Sequence, residues 1–283
     1  MKNKSVNFLT FDIEEWFHAN YRDLNANDYS NISDTNLEAN IDRLIAICDK
    51  NNVKSTCFIL GDVARKKPHL IKKLFDAGHE IASHGNSHKQ IYSMRQKEFT
   101  EDIHKSTDIL EQITGQKVVG FRAPSWSIKD ETVKWFYEIL ANEGYIYSSS
   151  VYPAEHKLFG IKDFDKTPHY PTNHKILEIP QSTTNIFGFE TGYAGGAFLR
   201  IFPEWFIKYN IKKYNQRNLP VFLYLHPREI DTMEPKLKLN FIDSFFHYHN
   251  TGIKCEQKTS NLIKEFSNSF IKMGDFAIKY NQL

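Results

Sequence analysis

The sequence has little of what marks secreted, membrane-spanning or nucleic-acid-binding proteins. Only three of its 283 residues are cysteines, Cys48, Cys57 and Cys255, and their spacing fits no disulfide framework or metal motif. The formal net charge is +2 and basic residues form no run, so no nucleic-acid partner is implied. No apolar stretch is long enough for a transmembrane segment.

These absences favour a cytoplasmic location. The sparse cysteines are expected to be reduced thiols, which suits the cytosol. Residues 1–4 are followed by no apolar signal core beyond a short predicted strand, so export is not indicated. A hydrophobic content of 41% and a charged content of 25% are typical of an ordinary folded protein. We therefore expect a cytoplasmic globular protein.

Strand and helix patterns alternate along the first 150 residues, which predicts parallel βα units in a barrel or an open sheet. Residues 152–175 interrupt the alternation with three prolines and three histidines, including His156 and His169, and predict a long surface loop. A mobile polar loop and a pocket-forming loop are both consistent with this composition. We find no repeat or linker, so we expect one domain over residues 1–283, with a C-terminal helical extension over residues 232–283.

Three carboxylates follow the first predicted strand, at Asp12, Glu14 and Glu15. In α/β folds the chemistry lies at the carboxyl ends of the strands. Buried carboxylates require positive partners, because isolated buried charge is very costly. The segment is therefore either a solvated acidic turn or one side of a charged site.

Further polar residues follow three other predicted strands. His84 and His88 are four residues apart, and such a pair can bind one cation, although surface histidines with this spacing are common. Arg122 after the next strand can pair with a carboxylate, in a site or in an ordinary salt bridge. His226 ends an apolar strand and can transfer protons near neutral pH, or simply bond a backbone carbonyl.

Together these residues resemble the polysaccharide deacetylase family, the carbohydrate esterases with the nodulation-type deacetylase domain. The similarity runs from about residue 6 to residue 231. Its motifs, in order, are Thr10-Phe11-Asp12-x-Glu14, His84-x-x-x-His88, Arg122-x-Pro124 and Leu225-His226-Pro227. Segments 12–16, 121–128, 198–200 and 226–231 further resemble a subgroup associated with bacterial polysaccharide biosynthesis. The resemblance implies an irregular (β/α) barrel of the polysaccharide deacetylase type, with its site at the carboxyl ends of the strands.

By this resemblance, Glu14, His84 and His88 bind a divalent metal. Many relatives have an aspartate directly after the base, where this chain has Ile13, so Glu15 is a rival to Glu14. Two imidazoles and a carboxylate suit Zn²⁺, and cobalt, nickel, iron and manganese are also compatible with these ligand types.

The same resemblance implies the remaining catalytic roles. Asp12 matches the base, Arg122 the residue that holds it, and His226 the general acid. The backbone N–H of Ser125 matches the oxyanion hole.

One position departs from the family pattern. Relatives usually have an aspartate where this chain has Ser148, and in many of them an aspartate near there orients the acid histidine. Ser148 supplies no charge. We therefore expect Glu178, or next Glu229, to orient His226.

The resemblance implies a metal-dependent hydrolase that removes an N-acetyl group from an amino sugar. Trp126, Glu178 and Tyr152 are the candidate substrate-binding residues. The expected substrate is an N-acetylated sugar that is nucleotide-linked, lipid-linked or part of an oligosaccharide. Two alternatives stay open at this point, namely hydrolysis of a non-sugar linear or cyclic amide, and a non-catalytic carbohydrate-binding protein.

Overall fold

The computed structural model describes residues 5–19, 35–154 and 159–282. Seven parallel strands form one curled sheet in the order β6-β5-β4-β3-β2-β1-β9. The predicted α/β barrel-type fold is therefore confirmed. The strands are β1 (Asn7–Ile13), β2 (Thr56–Ile59), β3 (Glu80–Ser83), β4 (Gly120–Phe121), β5 (Tyr147–Ser148), β6 (Leu177–Glu178) and β9 (Val221–Leu225).

Helices connect the strands and cover the outside of the curled sheet. Their apolar residues recur at helical spacing, which is why they pack on the core; Leu70, Ile71 and Leu74 in α3 are examples. The helices are α1 (Leu37–Lys50), α2 (Gly61–Lys66), α3 (Pro68–Asp76), α4 (Gln96–Thr114), α5 (Val133–Asn142), α6 (Gly196–Ile201), α7 (Glu204–Gln216), α8 (Phe241–Tyr248), α9 (Ile253–Phe266) and α10 (Met273–Tyr280). Within the described ranges no helix is both long enough and apolar enough to cross a bilayer.

Strand β1 is the central element that positions the site. All seven of its residues are buried, and it pairs with β2 on one side and β9 on the other. It extends further than its apolar start at residues 6–9 suggests, because Asp12 and Ile13 still pair with Phe58 and Ile59 of β2. Asp12 therefore lies within the sheet rather than in a solvated turn.

Several elements were not predicted from the sequence, among them α2, α6 and an antiparallel hairpin formed by β7 (Thr183–Ile186) and β8 (Phe189–Gly192). The hairpin turn has positive φ at both Phe187 and Gly188, the backbone that a tight two-residue turn requires. The predicted loop over 152–175 has no named helix or strand among its described residues, and His156 lies outside them.

Candidate functional site

The carboxyl ends of β1, β3 and β9 and the turn after β4 surround a cavity of about 240 Å³. Parallel strands bring their carboxyl ends to one edge of the sheet, so residues distant in sequence meet there. The cavity is lined by all but two of the ten predicted site residues: Asp12, Glu14, His84, His88, Ser125, Trp126, Tyr152 and His226.

Glu14, His84 and His88 form a buried cluster on one side of this cavity. One ligand atom from each residue lies within 4.8 Å of the others. Oε2 of Glu14 is 2.7 Å from Nε2 of His88 and 4.0 Å from Nε2 of His84. The three residues thus have the type and proximity of a metal site with open positions.

The electrostatics of the cluster also fit a cation. Nδ1 of His84 lies 2.8 Å from the carbonyl oxygen of Arg122, so Nδ1–H donates and Nε2 keeps its lone pair toward Glu14. Burial lowers the pKa of His84 to about 4, which keeps the imidazole neutral. Among the described residues, the buried Oε2 of Glu14 has no hydrogen bond of regular geometry, although Nε2 of His88 lies 2.7 Å away. An orphaned carboxylate oxygen beside two imidazoles is what a metal would satisfy.

The rival carboxylate, Glu15, lies outside this cluster. Its Oε1 accepts from the Lys67 ammonium and the Thr35 hydroxyl, both at 2.9 Å. Asp12 and Glu14 face the cavity together because β1 stays extended through Ile13.

Asp12 and Arg122 form a buried ion pair beside the cluster. Nη1 of Arg122 donates to Oδ1 of Asp12 at 2.6 Å and also lies 3.0 Å from the Thr10 hydroxyl. The guanidinium carbon lies 4.0 Å from the Phe58 ring centroid, so an aromatic face supports it. Arg122 therefore fixes Oδ1 and leaves Oδ2 of Asp12 as the oxygen nearer His226.

His226 approaches both carboxylates from the end of β9. Its Nε2 is 3.9 Å from Oδ2 of Asp12 and 3.7 Å from Oε1 of Glu14. On the other side of the ring, Nδ1 lies 3.4 Å from Oε2 of Glu229. The backbone N–H of His226 also donates to this Glu229 oxygen at 3.0 Å. Although burial alone would lower the pKa of His226, Glu229, Glu14 and Asp12 raise it above its ordinary value.

Glu229 is itself held by a second buried arginine. Nε of Arg200 donates to Oε1 of Glu229 at 2.8 Å, and both side chains have no solvent exposure. Burial would raise the pKa of Glu229, but His226 and Arg200 hold it well below its ordinary value. From the sequence we expected Glu229 to orient His226 only if Glu178 did not, and we predicted no contact between Arg200 and these residues.

The prediction that Glu178 orients His226 was wrong. Its Oε1 accepts the backbone N–H groups of Ser150 and Val151 at 2.7 and 2.9 Å, and its Oε2 accepts the Tyr137 hydroxyl at 3.0 Å. Glu178 does not line the cavity, and none of these hydrogen bonds involves His226. Ser148 is also turned away from His226, because its hydroxyl donates to that of Ser150.

The remaining predicted residues that line the cavity are Ser125, Trp126 and Tyr152. Ser125 and Trp126 both have positive φ, and this tight turn carries their backbone along the cavity. The indole N–H of Trp126 has no partner among the described residues, whereas the Tyr152 hydroxyl accepts the Gly192 N–H at 2.9 Å. The structure adds lining residues to which the sequence analysis gave no role, among them Ala19, Gln90, Phe159, Gln181, Phe198, Tyr224 and Arg228. Of these, Phe198 and Arg228 lie in segments that carried the resemblance to the subgroup.

Comparison with known families agrees with this arrangement. A family model described as "Polysaccharide deacetylase" matches residues 2–139, which contain the Glu14, His84, His88, Asp12 and Arg122 constellation. Residues 2–139, just under half of the chain, form a polysaccharide deacetylase domain. A second model, "Domain of unknown function (DUF3473)", matches residues 149–277, and the parallel sheet includes strands from both matched parts.

Curated relatives match over part of the chain. A Bacillus cereus peptidoglycan-N-acetylglucosamine deacetylase is 33% identical over 89 residues, covering 31% of this chain and 32% of that protein. A Helicobacter pylori peptidoglycan deacetylase is 30% identical over 114 residues, covering 40% of this chain and 38% of that protein. The chain thus spans little more than a third of the length of these relatives.

The fold extends to solved structures at low identity. A Mycobacterium smegmatis protein classed with the polysaccharide deacetylases is 17% identical, with a TM-score of 0.60, covering 100% of this chain and 94% of that one. A Bacillus anthracis protein described as a pseudoenzyme of carbohydrate esterase family 4 is 14% identical, with a TM-score of 0.52, covering 98% of this chain and 66% of that one. These similarities establish the fold alone.

Proposed function

We propose that this protein is a metal-dependent hydrolase that removes the N-acetyl group of an amino sugar. One observation carries the proposal: the Glu14, His84 and His88 cluster shares one cavity with the Asp12–Arg122 pair and His226. The curated relatives named as peptidoglycan deacetylases support the same class of reaction.

Glu14, His84 and His88 would hold a divalent cation, for which Zn²⁺ suits two imidazoles and one carboxylate. When bound, the cation supplies Lewis acidity toward the attacking water and the acyl carbonyl. Neutral His84 and ionised Glu14 are the protonation states that such binding needs, because ligands must have a free lone pair.

The chain's own residues then move the protons of amide hydrolysis. Asp12 accepts a proton from the attacking water, since Arg122 occupies Oδ1 and Oδ2 lies toward the cavity. The backbone N–H of Ser125 stabilises the developing oxyanion. His226 donates a proton from Nε2 to the leaving amine as the carbon–nitrogen bond breaks, so that water and amide yield acetate and amine. Glu229 and Arg200 keep the His226 ring oriented and favour its protonated form.

The substrate class follows from the sequence expectations and the relatives. We propose an N-acetylated sugar that is nucleotide-linked, lipid-linked or part of an oligosaccharide, acted on during the cytoplasmic biosynthesis of a bacterial surface polysaccharide. Trp126 and Tyr152 on the cavity wall provide aromatic surface against which a sugar ring can pack.

The test is acetate release by zinc-loaded protein from three groups of substrates: N-acetylated sugar nucleotides, lipid-linked N-acetyl sugars and peptidoglycan or other N-acetylated oligosaccharides. We expect release from at least one group and none with Asp12→Asn loaded in the same way. Metal-loaded wild-type protein that is inactive on all three groups would overturn the proposal. Activity only on non-sugar amides would replace it with the alternative same-fold reaction.

A further inference from the structure

Helix α8 is amphipathic, and its apolar face points away from the protein. Phe241 and Ile242 are 88% and 65% exposed, and Phe245 and Phe246, one turn later, are 42% and 40% exposed. Residues four apart lie on the same side of a helix, so these four side chains form one continuous face. We call this face the α8 patch. In a helix that only supports a core, this face would point inward.

Polar contacts fix α8 in this orientation. On its inner side, fully buried His247 pairs with Glu234. At its carboxyl end, Nη2 of Arg200 donates to the Phe246 carbonyl at 2.6 Å and Nη1 to the His249 carbonyl at 2.7 Å. Because these bonds involve buried groups, rotating the helix to bury the α8 patch would break them. The exposure of the patch is therefore built into the fold.

Positive charge lies beside the α8 patch. Exposed Lys236 and Lys238 belong to the segment before α8, which folds back along the helix. The Leu237 N–H donates to the Tyr248 hydroxyl at 2.7 Å, and Nζ of Lys236 lies 4.2 Å from the Tyr248 ring centroid. Of the two acidic residues close in sequence, Glu234 is paired with His247, whereas Asp243 accepts a hydrogen bond from the neutral Asn240 amide and keeps its charge.

We propose that the α8 patch, together with Lys236 and Lys238, docks on an anionic lipid surface. Phenylalanine and isoleucine side chains can enter the boundary between headgroups and acyl chains, while flanking lysines attract anionic headgroups. Exposed apolar side chains leave water when they enter a membrane, and the neighbouring lysines are attracted to its negative charge. An exposed apolar patch of this kind therefore fits a membrane-binding surface. The helix would lie on the membrane rather than span it. This proposal does not depend on the deacetylase reaction.

The docking surface is connected to the proposed active site. Arg228 lines the cavity, and its Nη1 lies 3.4 Å from the carbonyl oxygen of His247 in α8. Arg200 joins the carboxyl end of α8 directly to Glu229, the partner of His226. A membrane that contacts the α8 patch would therefore lie at a fixed position relative to the cavity.

Flotation of the purified full chain with vesicles tests this proposal. We expect binding to phosphatidylcholine vesicles that contain phosphatidylglycerol, weaker binding to phosphatidylcholine alone, and release by salt. The double variant Phe241→Ser/Phe245→Ser should bind at least about tenfold more weakly, because two phenylalanines no longer leave water. Lys236→Glu/Lys238→Glu should lose the preference for phosphatidylglycerol.

A matched control removes another pair of exposed aromatic residues with the same spacing. Trp205 and Tyr209 in α7 are 69% and 59% exposed, and Trp205→Ser/Tyr209→Ser should keep vesicle binding. Far-UV circular dichroism checks that each variant is folded. Equal loss of binding in both aromatic pairs would overturn the assignment to α8. So would wild-type protein that binds no vesicle, or that dimerises in light scattering through the α8 patch.

Discussion

Two fully enclosed glutamates at the same edge of the sheet have opposite surroundings. Glu14 follows β1 and faces the imidazoles of His84, His88 and His226. Glu178 ends β6 and is surrounded by neutral donors, namely two backbone N–H groups and the Tyr137 hydroxyl. The two carboxyl groups shift in opposite directions: burial raises the pKa of Glu178, whereas the imidazoles outweigh burial and lower the pKa of Glu14.

The difference separates a candidate metal ligand from a structural carboxylate. Every oxygen of Glu178 has a hydrogen-bond donor, so this side chain cross-links strands and loop and needs no further ligand. Glu14 keeps an orphaned oxygen among ionisable partners, and such groups mark functional sites. Burial alone does not distinguish Glu14 from Glu178. They differ in the charge of the groups around them and in whether every carboxylate oxygen has a hydrogen-bond donor.

Replacing Glu14 and Glu178 one at a time should have the largest difference in effect of all the variants considered. Glu14→Gln should lose both bound metal and acetate release, because one of three ligands no longer carries charge. Glu178→Gln should keep both. Elemental analysis of the metal-loaded, dialysed proteins gives the metal content. If Glu14→Gln retained wild-type metal, Glu14 would be no ligand; loss in Glu15→Gln instead would move the assignment by one residue.

Removing the proposed base should separate turnover from metal binding. Asp12→Asn is expected to lower kcat by about 100- to 10,000-fold, the usual contribution of a general base. Its metal content should stay near that of the wild type, since Asp12 is paired with Arg122 outside the ligand cluster. Parallel kinetics and elemental analysis check both expectations. Wild-type turnover in Asp12→Asn would exclude this residue as the base.

Glu229→Gln should have a smaller effect, through the orientation and protonation of His226. Partners that orient functional histidines typically contribute about 10- to 100-fold. Glu229 helps to raise the pKa of His226, so its neutralisation should lower that pKa. An acid must be protonated to act, so the alkaline limb of the pH–rate profile should move to lower pH.

Glu178→Gln is the matched control for this profile, because Glu178 and His226 are not in contact. Its alkaline limb should coincide with that of the wild type. A shift in Glu178→Gln and none in Glu229→Gln would reverse the assignment and restore the first expectation from the sequence.

The smallest expected effect concerns stability and belongs to Glu178 alone. The folded-state pKa of Glu178 is raised, so folding favours its protonated form. Its contribution to stability is therefore fully present below the unfolded-state pKa and is lost as pH rises through the folded-state value. The free energy of unfolding of wild type relative to Glu178→Gln should accordingly fall as pH increases above about 4.3, the ordinary glutamate pKa. Urea titrations at several pH values measure it, and a flat difference would contradict the raised pKa.

Sequence patterns alone predicted the fold class and most residues of the candidate site. Alternating apolar patterns predict parallel βα units, and polar residues placed directly after apolar strands predict a shared edge. This reasoning works for Asp12, His84 and His226 because a strand's direction determines at which edge its last residues lie. It extends to Arg122 for the same reason, and the four motifs already carried the resemblance to the family that the comparisons confirm.

Which charged groups meet depends on contacts between distant elements, which the sequence patterns do not reveal. Glu14 rather than Glu15 joins the histidines because β1 remains extended through Ile13, which its pairing with β2 fixes. Glu229 rather than Glu178 lies next to the His226 ring, because buried Arg200, 29 positions earlier in the chain, holds the Glu229 carboxylate there. The outward apolar face of α8 likewise depends on Arg200 and Glu234. Hydrophobic periodicity indicates how residues are spaced within one helix or strand. The charged pairs form where helices and strands that are distant in sequence pack together.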